Sequence, residues 1–407
     1  MRSSPSREHS ARSAAAAHLN SDTRTAGADA PQALAAVLAS AAFVALALYL
    51  APALVTLFIA RLGFSAAAPG YVIAAEMAGM GIATFPALWW LRRIPWGRLA
   101  ALMLLVIAAG DGLSILMTTP LTLGATRFVT GAAEGTVSII CMSALRLTRD
   151  PNRSFGLWLF AQLLAGALAL LGLPTLITAY GIAGFYAALA LLALALAGIG
   201  LRIPSGHVRA PARESSPATV SRWSLVGIAG LVSVLAFYVS FSAIWTFAGQ
   251  MAAPGAVSQA SIARALSLAP LGGMAGAALA SAIGTRFGSS RPLAVATSIL
   301  ALAIMMLGRR PEWLVYAAAC FAVLFGWTLA VPFLLGGIAS VDRSGRLTAA
   351  VNIVIGSGLA AGPALAALIV GNSGRYGGVV AVAFALAALS FLLALPMLRT
   401  DARTVAQ

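Results

Sequence analysis

The chain has no lysine, three histidines, two cysteines and few charged residues, and these shortages exclude several classes of protein. His9, His18 and His207 all lie outside the apolar runs. The apolar runs therefore contain no histidine that could bind a metal or belong to a catalytic triad. Cys141 and Cys320 are too far apart in sequence to suggest a disulfide framework or a metal site. An ATP-binding loop of the Gly-x-x-x-x-Gly-Lys type needs a lysine. We therefore expect no metal, no cofactor and no enzyme activity.

Hydrophobic residues dominate instead, at 60% of 407 residues, with charged residues at only 9%. Soluble domains average about 25% charged residues. A membrane-crossing helix needs about 20 apolar residues, and short polar breaks divide the chain into runs of about that length. We predict an all-α integral membrane protein with twelve transmembrane helices, at 35–60, 69–90, 99–118, 121–145, 154–179, 181–201, 223–249, 260–283, 292–308, 312–338, 347–371 and 376–398.

The runs fall into two groups of six, separated by the Pro- and Arg-rich segment 202–222. We predict a disordered cytoplasmic tail at 1–32, six-helix bundles at 33–201 and 223–399, a cytoplasmic linker at 202–222 and a short cytoplasmic tail at 400–407. With both ends inside, twenty of the 26 arginines fall on the cytoplasmic side, which follows the positive-inside rule. The net charge of +15 is spread over these short clusters and forms no continuous nucleic-acid-binding face. We expect a multi-pass protein of a cell membrane, most simply a bacterial inner membrane.

The two bundles repeat at a distance of 190 residues. That shift aligns Gln162 with Asn352, Gly166 with Gly356 and Gly172 with Gly362, all in the fifth run of each half. Internal repeats of this kind are typical of transporter folds. The repeat predicts two pseudo-symmetric bundles.

Four charged residues, Glu76, Asp111, Arg127 and Glu134, lie inside apolar runs of the first half. Three unpaired carboxylates in a bilayer would cost about 8 kcal/mol, so they should be paired, protonated or facing a cavity. At 1.5 Å per residue, Glu76, Asp111 and Arg127 share a depth of about 9 to 10 Å from the outer end, and Glu134 lies about 10 Å further along its helix. This spacing predicts a ladder of charges that carries protons, with Glu134 as the chief carrier and Asp111 and Arg127 exchanging partners.

Each of these groups also has a structural alternative. Asp111 and Arg127 lie on consecutive antiparallel helices and could form a fixed ion pair. Glu134 could be a protonated carboxyl that bonds neighbouring helices, and Glu76 could reach the water at the membrane surface.

Local motifs resemble those of the major facilitator superfamily, and the resemblance covers residues 33 to 399. Arg127-Phe-Val-Thr-Gly131, followed by Glu134 and Gly135, resembles the superfamily's Arg-x-x-x-Gly motif, whose arginine is associated with proton coupling. The loop with Arg286, Gly288 and Arg291 resembles the Gly-x-x-x-Asp-Arg-x-Gly-Arg loop, but Thr285 stands where an acidic residue is usual.

A further motif, Gly358-Leu-Ala-Ala-Gly362-Pro363, is similar to a signature that drug/proton antiporters of the superfamily carry in the fifth span. Here it stands in the eleventh. The glycines of these motifs also suit close helix packing, since small residues four apart let backbones approach. The resemblance implies alternating-access transport by the two bundles, with Gly131, Gly135, Arg286, Gly288, Arg291, Gly358, Gly362 and Pro363 serving conformational change or packing.

Aromatic and amide side chains mark the expected solute cavity, because such groups suit a large, partly apolar solute. We assign Tyr238, Trp245, Trp327, Asn352 and Gln162 to it. The leading hypothesis is a monomeric, proton-coupled exporter of a lipophilic or cationic small molecule. Proton-coupled uptake of an organic or aromatic acid stays open, and a non-transporting membrane receptor or assembly factor is a distant alternative. The expected partners are a small-molecule substrate, protons and the lipid bilayer, without nucleic acid.

Overall fold

The computed structural model describes residues 29–204, 225–252, 257–284, 286–342, 346–371 and 374–405. These ranges fold into α-helices joined by short connections, with a 3₁₀ turn at Ala248–Gln250. In chain order the helices are α1 Pro31–Val44, α2 Leu46–Leu62, α3 Ala68–Ile82, α4 Thr84–Trp90, α5 Trp96–Ser114, α6 Pro120–Leu145, α7 Pro151–Gly200, α8 Leu225–Phe247, α9 Gln259–Ile283, α10 Ser290–Gly308, α11 Trp313–Val341, α12 Arg346–Val370 and α13 Gly377–Val405.

Ten helical segments of the described chain are long and apolar enough to cross a membrane. The first of them joins α1 and α2 into one span, Pro31–Leu62. Helices suit this environment because each satisfies its own backbone hydrogen bonds, which lipid cannot do. The chain is therefore an all-α, multi-pass membrane protein, as the apolar runs predict.

Two regions explain why ten segments stand where twelve are predicted. The run 69–90 is divided at Ala83 into α3 and α4. Pro86 has no backbone N–H to donate, and in an uninterrupted helix its ring would clash with the carbonyl group four residues before it. The 50 residues of α7 would measure about 75 Å as one helix, against a hydrocarbon core of about 30 Å. Gly181, with φ 66° and ψ −165°, interrupts its helical geometry where two predicted spans meet. The count of twelve crossings depends on these two regions and stays a prediction.

The predicted tails and linker lie largely outside the described residues. The first helix begins at Pro31, and α13 continues to Val405, so helix extends into both predicted tails. Asp29, just before α1, accepts a hydrogen bond from the backbone N–H of Arg149 at 3.1 Å. This contact places the start of the first crossing beside the end of α6, on the side of the membrane that we call proximal. The opposite side, where α2 ends at Leu62, is called distal.

Helix pairs recur at matching positions in the two halves of the chain. In the first half α3 packs on α6, α5 on α6, and α5, α1 and α2 on α7. In the second half α9 packs on α11, α10 on α11, α10 on α13, and α8 on α12 and α13. The same set of neighbours around each half is what a duplicated helical unit produces.

The most extensive contacts between helices of the two halves pair α3 with α12, α7 with α9, and α2 with α8. In the α3–α12 pair, a methyl group built on Gly356 would lie 2.9 Å from the Cα of Gly81. At the distal end of the same pair, a methyl group on Gly70 would lie 2.9 Å from Ala367 and 2.7 Å from the ring of Phe247. Small residues therefore let the two halves touch backbone to backbone.

Candidate functional site

The four charged side chains of the first half converge on one guanidinium. Arg127 Nη1 donates to Asp111 Oδ1 at 2.6 Å, and its Nε donates to Glu76 Oε1 at 3.0 Å. Its Nη2 contacts the same oxygen of Glu76 and lies 3.4 Å from Glu134 Oε1. Each of the four residues is at most 5% exposed. The first half thus holds a buried cluster of one cation and three carboxyl groups, which we call the charged cluster.

Three helices contribute to this cluster, and close packing fixes two of them. Glu76 lies on α3, Asp111 on α5, and both Arg127 and Glu134 on α6. A methyl group on Gly131 would lie 2.9 Å from the carbonyl carbon of Glu76 and closer still to its oxygen. A methyl group on Gly135 would lie 2.8 Å from the Cα of Met80. The absence of a side chain at these two positions brings α6 against α3 and Arg127 within reach of Glu76.

Aromatic and aliphatic side chains enclose the charged cluster. The ring of Tyr186, from the later part of α7, lies with its centroid 5.7 Å from Arg127 Cζ, a cation–π distance. The charged groups border a cavity of about 20 Å³, room for about one water molecule. Its other walls all come from the first half: Phe43, Leu46, Ala47, Leu50, Leu54, Phe185, Tyr186 and Leu189. The cluster therefore lies within one half, away from the space between the halves.

The charges of this cluster do not balance when every group is ionised. Three carboxylates and one guanidinium sum to −2 in a site with almost no solvent contact, where charge is costly. Glu134 is the most loosely held of the three, because its contact with Arg127, at 3.4 Å, is longer than those of Glu76 and Asp111. Its other oxygen, Oε2, is buried without a hydrogen-bond partner in the described part of the structure. A proton on Glu134 would remove one negative charge and supply a donor at that oxygen.

This arrangement differs from the predicted ladder of charges. The expected pair of Asp111 and Arg127 is present, but Glu134 reaches the same guanidinium, so the four groups form one cluster without a deeper rung. Glu76 is 2% exposed and bonded to Arg127, which removes the alternative of a carboxyl reaching surface water. Tyr186 was not predicted. Its only sequence signal is a hydroxyl-bearing ring within an apolar run.

The five residues assigned to the solute cavity lie in different places. Tyr238 and Trp327 meet edge to face with ring centroids 6.5 Å apart. The indole of Trp327 also stacks on Phe241 at 4.5 Å. Gln162 is buried in the first half, with Nε2 3.4 Å from the carbonyl oxygen of Ala41, and Asn352 is exposed on α12. The structure brings together only the two aromatic residues of α8 and α11.

Trp245, the fifth of these residues, is fully buried in a joint between the halves. Its indole Nε1 donates to the carbonyl oxygen of Leu48 at 2.9 Å. That carbonyl is available because Pro52, four residues on, has no N–H to offer it. One turn closer to the distal side, Gln250 donates to the hydroxyl of Thr56 at 2.7 Å. These two bonds fasten α8 and the following 3₁₀ turn to α2.

We predict that Trp245→Phe loosens this distal joint. The change removes one buried hydrogen bond, worth about 1 kcal/mol net, so conformers open on the distal side should rise about fivefold. Spin labels on Ala60→Cys and Glu312→Cys, both exposed near the distal ends of the two halves, would report it as a longer distance. Trp158→Phe is the matched control, because the indole nitrogen of Trp158 is buried without a partner in the described structure. Identical distance distributions in the two variants would contradict the assignment.

The remaining motif residues lie in a turn and in a helix contact. Arg286, Gly288 and Arg291 are exposed between α9 and the start of α10, and Gly288 has φ 65°. Gly358 and Gly362 face α8. A methyl group on Gly358 would lie 2.7 Å from Tyr238 Cβ, and one on Gly362 would lie 2.7 Å from the carbonyl oxygen of Val239. Pro363 lies inside α12 immediately after Gly362.

We predict that Gly131→Ala disrupts the contact between α6 and α3. Overpacking of this kind costs about 1–3 kcal/mol, because one backbone must move away from the other. Thermal unfolding of the purified protein should therefore begin at a lower temperature, and transport should fall. Gly172→Ala is the control, since a methyl group there meets nothing within 4 Å. Equal stability of the two variants would show that α6 and α3 tolerate separation.

Comparison with known proteins gives a likeness of structure. No protein-family model and no curated protein sequence matches the chain. The chain is similar to the POT family transporter PepTSo, with a TM-score of 0.68, 12% identity, and coverage of 92% of this chain and 98% of that one. It is similar to an auto-inhibited POT family peptide transporter, with a TM-score of 0.66, 14% identity, and coverage of 92% of this chain and 97% of that one. It is also similar to the nucleoside transporter NupG, with a TM-score of 0.66, 14% identity, and coverage of 90% of this chain and 98% of that one.

These identities are low, so the likeness concerns the fold. It extends over nearly the whole length of both chains in each comparison. The described chain also has the paired halves and the long apolar helices that the sequence motifs imply. The protein therefore has the same fold as these solved structures, as the motifs that resemble the major facilitator superfamily imply.

Proposed function

We propose that the protein is a proton-coupled secondary transporter that moves a small organic solute by alternating access between its two halves. The observation that carries the proposal is the charged cluster, in which three carboxyl groups share one guanidinium in a buried site. Ionisable groups inside membrane helices mark proton or ion pathways. The solved structures that share the fold carry the names of peptide and nucleoside transporters, which supports transport over catalysis.

Glu134 is the proposed proton carrier of this cluster. Its loose contact with Arg127 and its unpartnered Oε2 let it change protonation without breaking the tighter bonds from Arg127 to Glu76 and Asp111. The adjoining cavity has room for about one water, enough for a single relay between Glu134 and the outside of the cluster. When Glu134 is ionised, it pulls on Arg127 in competition with the other two carboxylates. When it is protonated, that pull is lost.

Helix α3 is the proposed link from this cluster to the other half. Gly131 and Gly135 hold α6 against α3 at Glu76 and Met80. The residue after Met80, Gly81, touches Gly356 of α12. A shift of α6 relative to α3 therefore displaces the contact of Gly81 with Gly356, where the halves meet. Because packed helices have few alternative arrangements, such a shift favours one discrete state over another.

The solute is proposed to bind between the halves, next to the aromatic group of Tyr238, Phe241 and Trp327. Stacked rings and a buried indole N–H suit a lipophilic, partly aromatic compound with a hydrogen-bond acceptor. The carboxyl groups no longer favour a cationic solute, because they are paired with Arg127 inside the first half. We retain efflux as the proposed direction, with proton-coupled uptake of an aromatic acid as the alternative.

The arginine distribution supports a cytoplasmic proximal side. Twenty of the 26 arginines fall in segments assigned to that side, and this bias sets the orientation of membrane proteins. We therefore propose that both ends of the chain are cytoplasmic, in a membrane such as a bacterial inner membrane. Each half supplies its own packed helices, so a monomer is proposed as the working unit.

Proton movement in inside-out vesicles tests the proposal. The vesicles carry an internal pH reporter and receive lipophilic cations, aromatic acids or neutral aromatic compounds. Release of protons from acidified vesicles on addition of one class would support efflux, and proton movement together with the solute would support uptake. No response to any class by a folded, reconstituted protein would contradict proton-coupled transport of these solutes.

A further inference from the structure

A large cavity lies on the distal side, in the seam between the halves. It has a volume of about 490 Å³, within the range of about 300–1,000 Å³ that is typical of ligand sites. Residues of α2, α7 and α9 line it, so its walls come from both halves. It is separate from the charged cluster and shares no lining residue with the 20 Å³ cavity there.

The lining of this seam cavity is polar at one end and apolar at the other. Arg61 and Gln259 line it within about one turn of the distal ends of α2 and α9, and Thr178 lines it three residues before the break at Gly181 in α7. The deeper walls are apolar and include Leu57, Leu173, Ile177, Ile262 and Leu266. Along α2, the residues that line the cavity extend from Arg61 back to Ala53, a distance of eight residues or about 12 Å. That depth is close to half of the hydrocarbon core, which is about 30 Å thick.

These features identify one kind of occupant. Water is a poor filler for the deep part, because apolar cavities stay dry. An acyl chain is the apolar group that a bilayer supplies at this depth. Arg61 is exposed, and none of the ion pairs between described residues involves it, so its guanidinium can meet an anionic headgroup.

We propose that the seam cavity binds an anionic phospholipid of the distal leaflet, with one acyl chain between α7 and α9 and the phosphate at Arg61. Because the site is built from both halves, the lipid stabilises whichever arrangement of α2, α7 and α9 forms the cavity. This binding does not depend on transport or on the charged cluster, and it can be tested without a transported solute.

Photo-crosslinking in liposomes tests the proposal. Phosphatidylglycerol with a diazirine on its acyl chain is mixed into phosphatidylcholine liposomes that hold the full-length protein, and labelled peptides are located by mass spectrometry. We expect labels on Leu173, Ile177, Ile262 or Leu266. Arg61→Gln should lower the labelling about fivefold, the effect of one arginine on anionic lipid binding. Arg264→Gln is the control, because Arg264 is an exposed arginine on the distal part of α9 that does not line the cavity.

A second pair of variants tests the cavity apart from the charge. Ala263→Trp should fill the cavity and abolish the label, whereas Leu268→Trp, on an exposed position of α9 outside it, should leave the label in place. The proposal is overturned if the diazirine labels other helices. It is equally overturned if a phosphatidylcholine probe labels the seam cavity as strongly as the phosphatidylglycerol probe does, and Arg61→Gln lowers the labelling by neither probe.

Discussion

Arg127→Gln is expected to have the largest effect of any single substitution in the chain. The change removes the cation that Glu76, Asp111 and Glu134 share and leaves three carboxyl groups without it in a site that water hardly reaches. Breaking a buried ion pair by removing one partner costs about 3–5 kcal/mol. We expect little folded protein in the membrane, and we expect no transport from the fraction that folds. Size-exclusion profiles and the yield of purified protein measure the first effect.

A compensating triple variant separates folding from function in this experiment. Adding Glu76→Gln and Asp111→Asn to Arg127→Gln removes the two carboxylates that Arg127 holds most closely, so the yield should recover. Transport should stay absent, because the variant still lacks Arg127, the cation for which Glu134 competes with the other two carboxylates. Arg264→Gln controls for the loss of an arginine at an exposed site. Normal yield and normal transport in Arg127→Gln alone would show that the cluster is neither structural nor functional.

Glu134→Gln is expected to have the second largest effect, on coupling and with little loss of stability. The amide has nearly the shape of the carboxyl and can still accept from Arg127 at the 3.4 Å contact. It cannot take up or release a proton. Coupling between two ligands is typically worth a factor of about 5 to 150, and we expect a loss of solute-driven proton flux within that range. The measurement uses proteoliposomes with an internal pH reporter and the solute class identified in vesicles.

Exchange of solute for solute provides the control for this variant. Such exchange requires binding and alternation of the two halves but no net proton movement, so it should persist in Glu134→Gln. Glu312→Gln, a change at an exposed carboxyl just before α11, should affect neither process. Unchanged proton flux in Glu134→Gln would exclude Glu134 as the carrier and leave it as a structural carboxyl.

Much of the fold could be predicted because the bilayer imposes strict rules on sequence. Helices crossing lipid need about 20 apolar residues and satisfy their own backbone groups, so the runs of the sequence correspond to helices. Local irregularities follow from tertiary fit and were harder to predict. Pro86 divides the second run, yet Pro52 and Pro174 lie within helices that continue. Composition does not distinguish these cases.

The charged cluster could be predicted in part. A charge inside an apolar run is rare and stands out, and consecutive antiparallel helices place Asp111 beside Arg127. The arrival of Glu76 and Glu134 at the same guanidinium depends on how α3 and α6 are rotated and on how closely Gly131 lets them approach. Those are properties of packing between helices. For the same reason the sequence led us to assign Trp245 to the solute cavity, and its bond to the carbonyl that Pro52 leaves free could not be predicted.

The measurement that tests the central proposal most directly is infrared difference spectroscopy of the reconstituted protein on acidification, for the wild type and Glu134→Gln. It reports the C=O stretch of protonated carboxyl groups and needs no knowledge of the solute. We predict a band in the wild type that grows on acidification and is missing in Glu134→Gln, while Glu312→Gln retains it. Identical spectra from the wild type and Glu134→Gln would contradict the proposal that Glu134 carries the proton.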